Sequence, residues 1–473
     1  MERSSVAKIS RNTAMLVLAT LSRMALAFAF VIYAASLLGK ERFGQYALVT
    51  HYFELFLSLC STAVGIYLTR EASKRPRDLP ELLSHGFALL LGLLAASGVV
   101  LTVVFRLASY SHGTVVAMGV ASCALLPAAT AAILEATLIA LEKAHHVTIA
   151  TALESGLRFA ASFVVLALGY GLPAVFAILI VTRTVQALYY AAQVHQWVPL
   201  HWRFRPRRFR VMFRRWRIFA AENWLATIYT SLDVLVLSFF HGEAAVGLYA
   251  AATRVVRLGS MAAKSYTLAV FPVLSRLHRT SRTAFEQLSH VTLRYMIAIA
   301  VPAALAMAVF AEPIMSLLYS EEYAAAVPVL QVFAWILVLE AINPFLSYTL
   351  FAKGAQSASM RVAALGLIVN GIASYFLTRS WGPVGAAWAA IIAGFAATCG
   401  YGLASLRRDE ITRFLGDAVK VVLASTALAA VLWWSRNSTI AVSLLIGGAL
   451  YVSLLVILRV IKHSDLRLWR SEL

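Results

Sequence analysis

Residues 38–47 read Leu38-Gly39-Lys40-Glu41-Arg42-Phe43-Gly44-Gln45-Tyr46-Ala47, a short charged, glycine-bearing turn set between two apolar runs. At an offset of 203 residues the chain reads His241-Gly242-Glu243-Ala244-Ala245-Val246-Gly247-Leu248-Tyr249-Ala250, with Gly, Gly, Tyr and Ala in register. A second pair follows at an offset of 211: Gly171-Leu172-Pro173-Ala174-Val175-Phe176-Ala177 against Gly382-Pro383-Val384-Gly385-Ala386-Ala387-Trp388. One glycine turn between helices is common, whereas two echoes at nearly one offset mark an internal repeat.

What repeats is a membrane unit. Of 473 residues, 61% are hydrophobic and 13% charged, against roughly half and a quarter in soluble domains, so the surface has to face lipid. A span needs about 20 mostly apolar residues. Fourteen candidates follow at about 13–38, 44–69, 82–106, 114–141, 148–169, 172–197, 218–240, 246–271, 288–311, 326–352, 360–378, 383–406, 416–435 and 439–460. The first apolar run is too long for a signal-peptide core and reads as an uncleaved helix. Cys60, Cys123 and Cys399 are odd in number, lack CxxC spacing and read as small core residues, with no disulfide framework or metal site.

The net charge of +19 comes from 41 Lys+Arg against 22 Asp+Glu. With the N-terminus inside, one side of the fourteen-span topology collects 28 Lys/Arg and the other 5, a strong positive-inside asymmetry. Both termini are therefore expected on the cytoplasmic side, and the basic balance implies no nucleic-acid partner. The expected fold is an all-α polytopic membrane protein of about fourteen transmembrane helices. It divides into an N-lobe (1–200), a basic cytoplasmic linker (201–217), a C-lobe (218–407) and two further helices with a tail (408–473). Because each six-span block starts on the same side, the repeat is parallel, an arrangement suited to alternating access with a site between lobes. The linker, with eight arginines and interleaved Trp and Phe, is expected to lie on anionic headgroups.

Leu37-Leu38-Gly39 with Phe43-Gly44 and Tyr46-Ala47, Phe271-Pro272-Val273-Leu274-Ser275-Arg276-Leu277, Glu312-Pro313-Ile314-Met315-Ser316-Leu317-Leu318-Tyr319-Ser320 with Tyr323, and Asn370 followed by Gly382-Pro383-Val384-Gly385-Ala386-Ala387 together resemble the polysaccharide transporter family. These are Wzx-type oligosaccharide-lipid flippases, in the superfamily that also holds multidrug exporters and lipid II flippases. The resemblance covers nearly the whole chain. It implies a multi-pass protein of the bacterial inner membrane, not an enzyme, that translocates a polyprenyl-pyrophosphate-linked oligosaccharide for exopolysaccharide, capsule or O-antigen synthesis. It implies as partners that lipid-linked oligosaccharide, membrane lipids, polymerase and glycosyltransferases. No cofactor is expected beyond coupling to a proton or sodium gradient.

Charges inside spans are costly and usually face a polar cavity or a partner. The positive candidates for binding an anionic substrate are Arg23, Arg158, Arg183, Arg254, Arg257 and Lys264. Arg254, Arg257 and Lys264 fall within an arc of roughly 80° on one helix, and Arg offers a planar fork of donors to phosphate oxygens. Arg158 follows Glu154 by four residues, so an intrahelical ion pair is the competing reading. Arg23, Arg183 and the span 8 stripe have no acid nearby in sequence, and Arg294 and Lys420 are placed to snorkel. Candidate ion-coupling residues are Glu54, Glu222, Asp233 and Asn370. Glu222, Tyr229 and Asp233 share a face, and the resemblance places Asp233 and Asn370 where some relatives bind a cation. Ser374, one turn after Asn370, is not a carboxylate, which counts against a strong sodium site. Pro302 and Pro344 are expected to bend spans 9 and 10.

No GxxxxGK[ST], HExxH or GxSxG occurs. Among alternatives, a lipid II flippase fits the span count, a multidrug exporter fits the net positive interior poorly, and a glycosyltransferase or polymerase would be expected to carry larger outer loops.

Overall fold

The computed structural model describes residues 2–74, 78–108, 110–198, 203–434 and 440–461, with side chains from residue 26 to 434 and from 442 onward. The elements are α1 (Glu2–Leu57), α2 (Ala63–Lys74), α3 (Leu79–Leu107), α4 (His112–Cys123), α5 (Leu125–Ala140), α6 (Ala144–Ala167), α7 (Leu172–His195), α8 (Pro206–Thr280), α9 (Arg282–Val309), α10 (Ala311–Leu318), α11 (Val327–Phe333), α12 (Ile336–Ala352), α13 (Gln356–Ala373), α14 (Arg379–Ser405), α15 (Arg408–Trp434) and α16 (Ile440–Ile457). Nine helical runs among the described residues are long and apolar enough to cross a membrane, or ten if the bent pair α11–α12 is one span. In hydrocarbon only intrasegment pairing satisfies the backbone, which is why the apolar runs are helical throughout.

Three of those runs, Leu26–Lys74, Pro206–Thr280 and Gln356–Ser405, are far longer than one crossing and hold a glycine with non-helical torsions: Gly39 (φ 68), Gly242 (φ 74) and Gly382 (φ 55). A positive φ strains any residue with a Cβ, so glycine sits where each run turns. The first echo thus holds in backbone conformation, with Gly39 and Gly242 equivalent. The second holds only in part. Gly171 caps α7 at φ −69 while the left-handed residue on its side is Gly169, φ 80. Elsewhere helices start by ordinary capping: Ser111 and Ser281 accept from the amides of Thr114 and Ala284, and proline opens α3 and α7.

The described chain forms two compact units. Unit 1 is residues 1–231 with Gly242–Gly247, and unit 2 is Leu232–His241 with residues 248–473. The core of unit 1 gathers Leu68, Leu90, Ile133, Leu138 and Tyr190, and also Met212, Trp216 and Ala220. Met212 and Trp216 belong to the basic linker. From Pro206 it is the first part of α8, continuous with the following span up to Gly242, because Met212, Trp216 and Ala220 recur at helical spacing and bury one face. Unit 1 runs to Ser231, past the expected end of the N-lobe at residue 200. Trp224 Nε1 also donates to the Leu59 carbonyl at 2.9 Å, and Ser58 and Thr227 hydroxyls pair at 2.9 Å.

The core of unit 2 is built from Leu274, Leu293, Phe345, Leu350, Val421, Leu432 and Val460, so α15 and α16 pack on α9 and α12 rather than standing apart. The bend of 42° in the tenth expected span falls between α11 and α12, one helical turn or more before Pro344, which lies inside α12. Small residues let helices approach: a Cβ on Gly394 would lie 2.9 Å from Leu339. Outward-facing positions remain apolar, as at Val99, Leu168, Phe395 and Leu403, as expected where the solvent is lipid. Cys60 is buried, 3.1 Å from Ser97 Oγ, but Cys123 and Cys399 are exposed, correcting their reading as core residues.

Candidate functional site

In unit 1 the charges converge on Glu154, whose side chain is 3% exposed. Arg158, one turn later on α6, brings Nε to 3.0 Å from its Oε1, and Arg183 on α7 brings Nε to 3.6 Å. Arg183 also donates to Gln186 Oε1 at 2.8 Å, Gln186 donates to Tyr190 at 3.3 Å, and Thr182 donates to Glu154 at 3.3 Å. Arg183, with no acid nearby in sequence, therefore has one from the neighbouring helix, which sequence spacing cannot show. Both guanidiniums keep 24% of their side-chain surface, so the cluster is a hub with one carboxylate and two cations. Glu54, exposed on α1, and Glu135 on α5 are close enough to act electrostatically on Arg183. Arg23 lies in α1 among residues whose side chains are outside the described set.

In unit 2, α8 carries the cationic stripe. Arg254 is half-buried within electrostatic reach of Tyr319, while Arg257 and Lys264 are exposed. Lys264 Nζ sits 3.1 Å from Glu340 Oε2, an acid 76 residues later on α12 that spacing along one helix does not show. Arg257 lies within electrostatic reach of Tyr249. Asp233, 6% exposed, accepts a short hydrogen bond from the Tyr249 hydroxyl and another at 2.9 Å from the Val234 amide. Glu222, on the same expected face, is exposed. Asn370 is buried and accepts from Ser374 Oγ at 3.1 Å.

Further polar groups were not singled out by the sequence. Asn343 donates to the Gly394 carbonyl at 3.0 Å and accepts from Thr398 at 2.7 Å, tying α12 to α14. Arg294, expected to snorkel, is only 2% exposed and stacks 5.6 Å from the Tyr295 ring centre; Lys420 does reach outward, 42% exposed and 3.6 Å from Asp417. No group of three or more His, Cys, Asp or Glu able to hold a metal occurs among the described residues. What the two clusters offer chemically is anion binding by partly exposed guanidinium and ammonium groups, in each cluster beside a carboxylate.

Comparison with known proteins agrees with this architecture. The chain is 25% identical over 162 residues, 34% of either chain, to the probable low-salt glycan biosynthesis flippase Agl15 of Haloferax volcanii. It is 23% identical over 228 residues, 48% of this chain and 56% of the relative, to the capsular polysaccharide biosynthesis protein CapF of Staphylococcus aureus. The matches thus span from a third to just over half of these relatives. In fold it is similar to the lipid II flippase MurJ in an inward closed conformation, with a TM-score of 0.76 at 16% identity over 94% of this chain and 99% of that one. It is also similar to an inward-facing multidrug resistance MATE family transporter of the MOP superfamily, with a TM-score of 0.67 at 15% identity over 85% and 95%. The MatE family model matches residues 219–376, and the model of the polysaccharide biosynthesis protein family matches residues 9–278. With more than half of its length on that model and the fold of the MOP transporters, the chain belongs to the polysaccharide biosynthesis protein family.

Proposed function

We propose that this protein is a flippase that carries a polyprenyl-pyrophosphate-linked oligosaccharide across the bacterial inner membrane, with both termini cytoplasmic, by alternating access. The observation that carries the reading is the exposed cationic stripe of α8, Arg257 and Lys264 beside half-buried Arg254, in a chain of this family. A pyrophosphate presents several anionic oxygens, and guanidinium forks bind these better than any neutral lining would. The names of the two relatives, one a glycan flippase and one a capsular polysaccharide protein, support the same substrate class.

Coupling is assigned to a proton at Asp233. Its carboxylate is buried in a span and engaged by Tyr249 and the Val234 amide, and intramembrane carboxylates commonly serve as proton relays. The likeness to the lipid II flippase over nearly the whole chain favours lipid II as the second substrate reading.

The test is a proteoliposome assay with a fluorescent undecaprenyl-pyrophosphate oligosaccharide and a membrane-impermeant quencher. Protein-dependent movement of that lipid, faster under a proton gradient, is expected. Movement of lipid II with none of the oligosaccharide lipid would overturn the proposal in favour of the second reading.

A further inference from the structure

The arginines at the start of α8 differ in their partners. Arg208 bonds Glu81 at 2.7 Å and lies 3.8 Å from Asp78, Arg205 lies 3.7 Å from Glu81, and Arg215 bonds Tyr67. The Arg203 and Arg205 amides also donate to Ser84 and His85, at 3.0 and 3.1 Å. These contacts hold the segment on unit 1 while Met212 and Trp216, 3% and 2% exposed, fill its core. Arg210, Arg214 and Arg217 are exposed and have no acid within ion-pair distance among the described residues. They lie at i, i+4 and i+7, an arc of about 60° directed away from the buried face.

Their height follows from helix continuity. α8 runs unbroken to Gly242, and its apolar part, 218–240, is about 35 Å long at 1.5 Å per residue, close to the roughly 30 Å of a hydrocarbon core. Arg217, Arg214 and Arg210 then follow within about 12 Å of the hydrocarbon edge, in the headgroup layer and the first screening length beyond it. Exposed Val211, Phe213 and Ile218, at 52%, 44% and 64%, sit among them. Apolar side chains beside unpaired arginines fit an interface between phosphate and acyl chain, not bulk water.

We propose that Arg210, Arg214 and Arg217 form a binding column for the phosphates of anionic phospholipids, so that this protein selects its own lipid annulus at the basic end of α8. The guanidinium forks engage headgroup phosphate oxygens, and phosphatidylglycerol or a dianionic lipid is favoured over a zwitterion, whose own ammonium cancels the attraction. The column is independent of whichever lipid-linked substrate the protein moves.

The test uses the full chain reconstituted in phosphatidylcholine, with spin-labelled phosphatidylglycerol or phosphatidylcholine as probe, reading the motionally restricted fraction of each. The wild-type protein is expected to prefer labelled phosphatidylglycerol by at least about twofold, a preference weakened by high salt. The variant R210Q/R214Q/R217Q, checked for monodispersity, is expected to lose most of it, and R205Q/R208Q to keep it. An unchanged ratio in the triple variant, or an equal loss in R205Q/R208Q, overturns the proposal. So does wild-type protein that binds RNA through this column but shows no lipid preference. Should the triple variant fail to insert, Arg214→Gln alone reads the same quantity, and an unchanged ratio there is equally decisive.

Discussion

Gly44 and Gly247, the same position in two repeated turns, meet backbone to backbone. A Cβ built on Gly44 would lie 3.1 Å from the Gly247 amide nitrogen and overlap the Glu243 carbonyl; one on Gly247 would lie 3.0 Å from the Gly44 nitrogen and overlap that of Lys40. The echo that revealed the repeat is therefore also a contact, within unit 1, that only glycine permits. Gly44→Ala and Gly247→Ala should each lower the unfolding midpoint in detergent by several degrees, although alanine gains about 1 kcal/mol in an ordinary helix interior. Gly119→Ala and Gly156→Ala, where a Cβ meets nothing within 4 Å, should hold or raise it. Equal midpoints for Gly44→Ala and Gly119→Ala would contradict the contact.

Glu243 seals the same turn. Its carboxylate accepts from the Ser111 amide at 3.0 Å, from the Ser111 hydroxyl at 2.9 Å and from Gln45 Nε2 at 3.0 Å. Burial alone would raise its pKa, but these bonds and one from Thr114 outweigh it, and the net shift is below the ordinary 4.5. A carboxyl with a depressed folded pKa adds stability above its unfolded value and loses it as pH falls through the folded one. The stability of wild-type protein should thus decline on acidification below about pH 4.5 more steeply than that of Glu243→Gln, which at neutral pH should be less stable by about 1–3 kcal/mol. Parallel pH profiles would remove Glu243 from the seal.

The sequence shows whatever is local or repeated. Span composition, the turns at Gly39 and Gly242, and the Glu154 to Arg158 pair at i+4 all follow from spacing along one helix. What it hides is partnership between helices distant in the chain: Glu340 for Lys264, Glu154 for Arg183, Ser111 for Glu243. Nor could charge alone show how the linker arginines divide. Eight arginines look alike until the burial of Met212 and Trp216 fixes which face of α8 turns inward, pairing Arg205 and Arg208 and leaving Arg214 outward.

Glu154 lies within ion-pair distance of two guanidiniums at once, so its removal leaves both without an ion pair among the described residues. Glu154→Gln is expected to destabilise by about 1–3 kcal/mol, less than a fully enclosed pair because the arginines are 24% exposed. Arg158→Gln should cost less, since Arg183 still compensates the carboxylate. In the double variant the losses should be markedly less than additive, which a double-mutant cycle of chemical unfolding midpoints measures. Strict additivity would show that the 3.0 Å pair contributes no coupling.

Within the α8 stripe the two exposed cations differ in what they have left to give. Lys264 is 3.1 Å from Glu340, so part of its field is spent on a fixed carboxylate, whereas Arg257 has no ion pair within 4.0 Å among the described residues. If the stripe binds the pyrophosphate of a lipid-linked substrate, Arg257→Ala should reduce flipping by at least tenfold, about 1.4 kcal/mol, while insertion and monodispersity persist. Lys264→Ala should reduce it less than Arg257→Ala, because Glu340 already offsets part of the lysine's charge, although the change also frees Glu340 to repel an anion. The remedy for that repulsion is Lys264→Ala combined with Glu340→Gln, which should recover activity relative to Lys264→Ala alone. Initial rates in the quencher assay decide it: full activity of both single alanine variants removes the stripe from transport, and failure of Glu340→Gln to restore any activity removes the electrostatic account of Lys264.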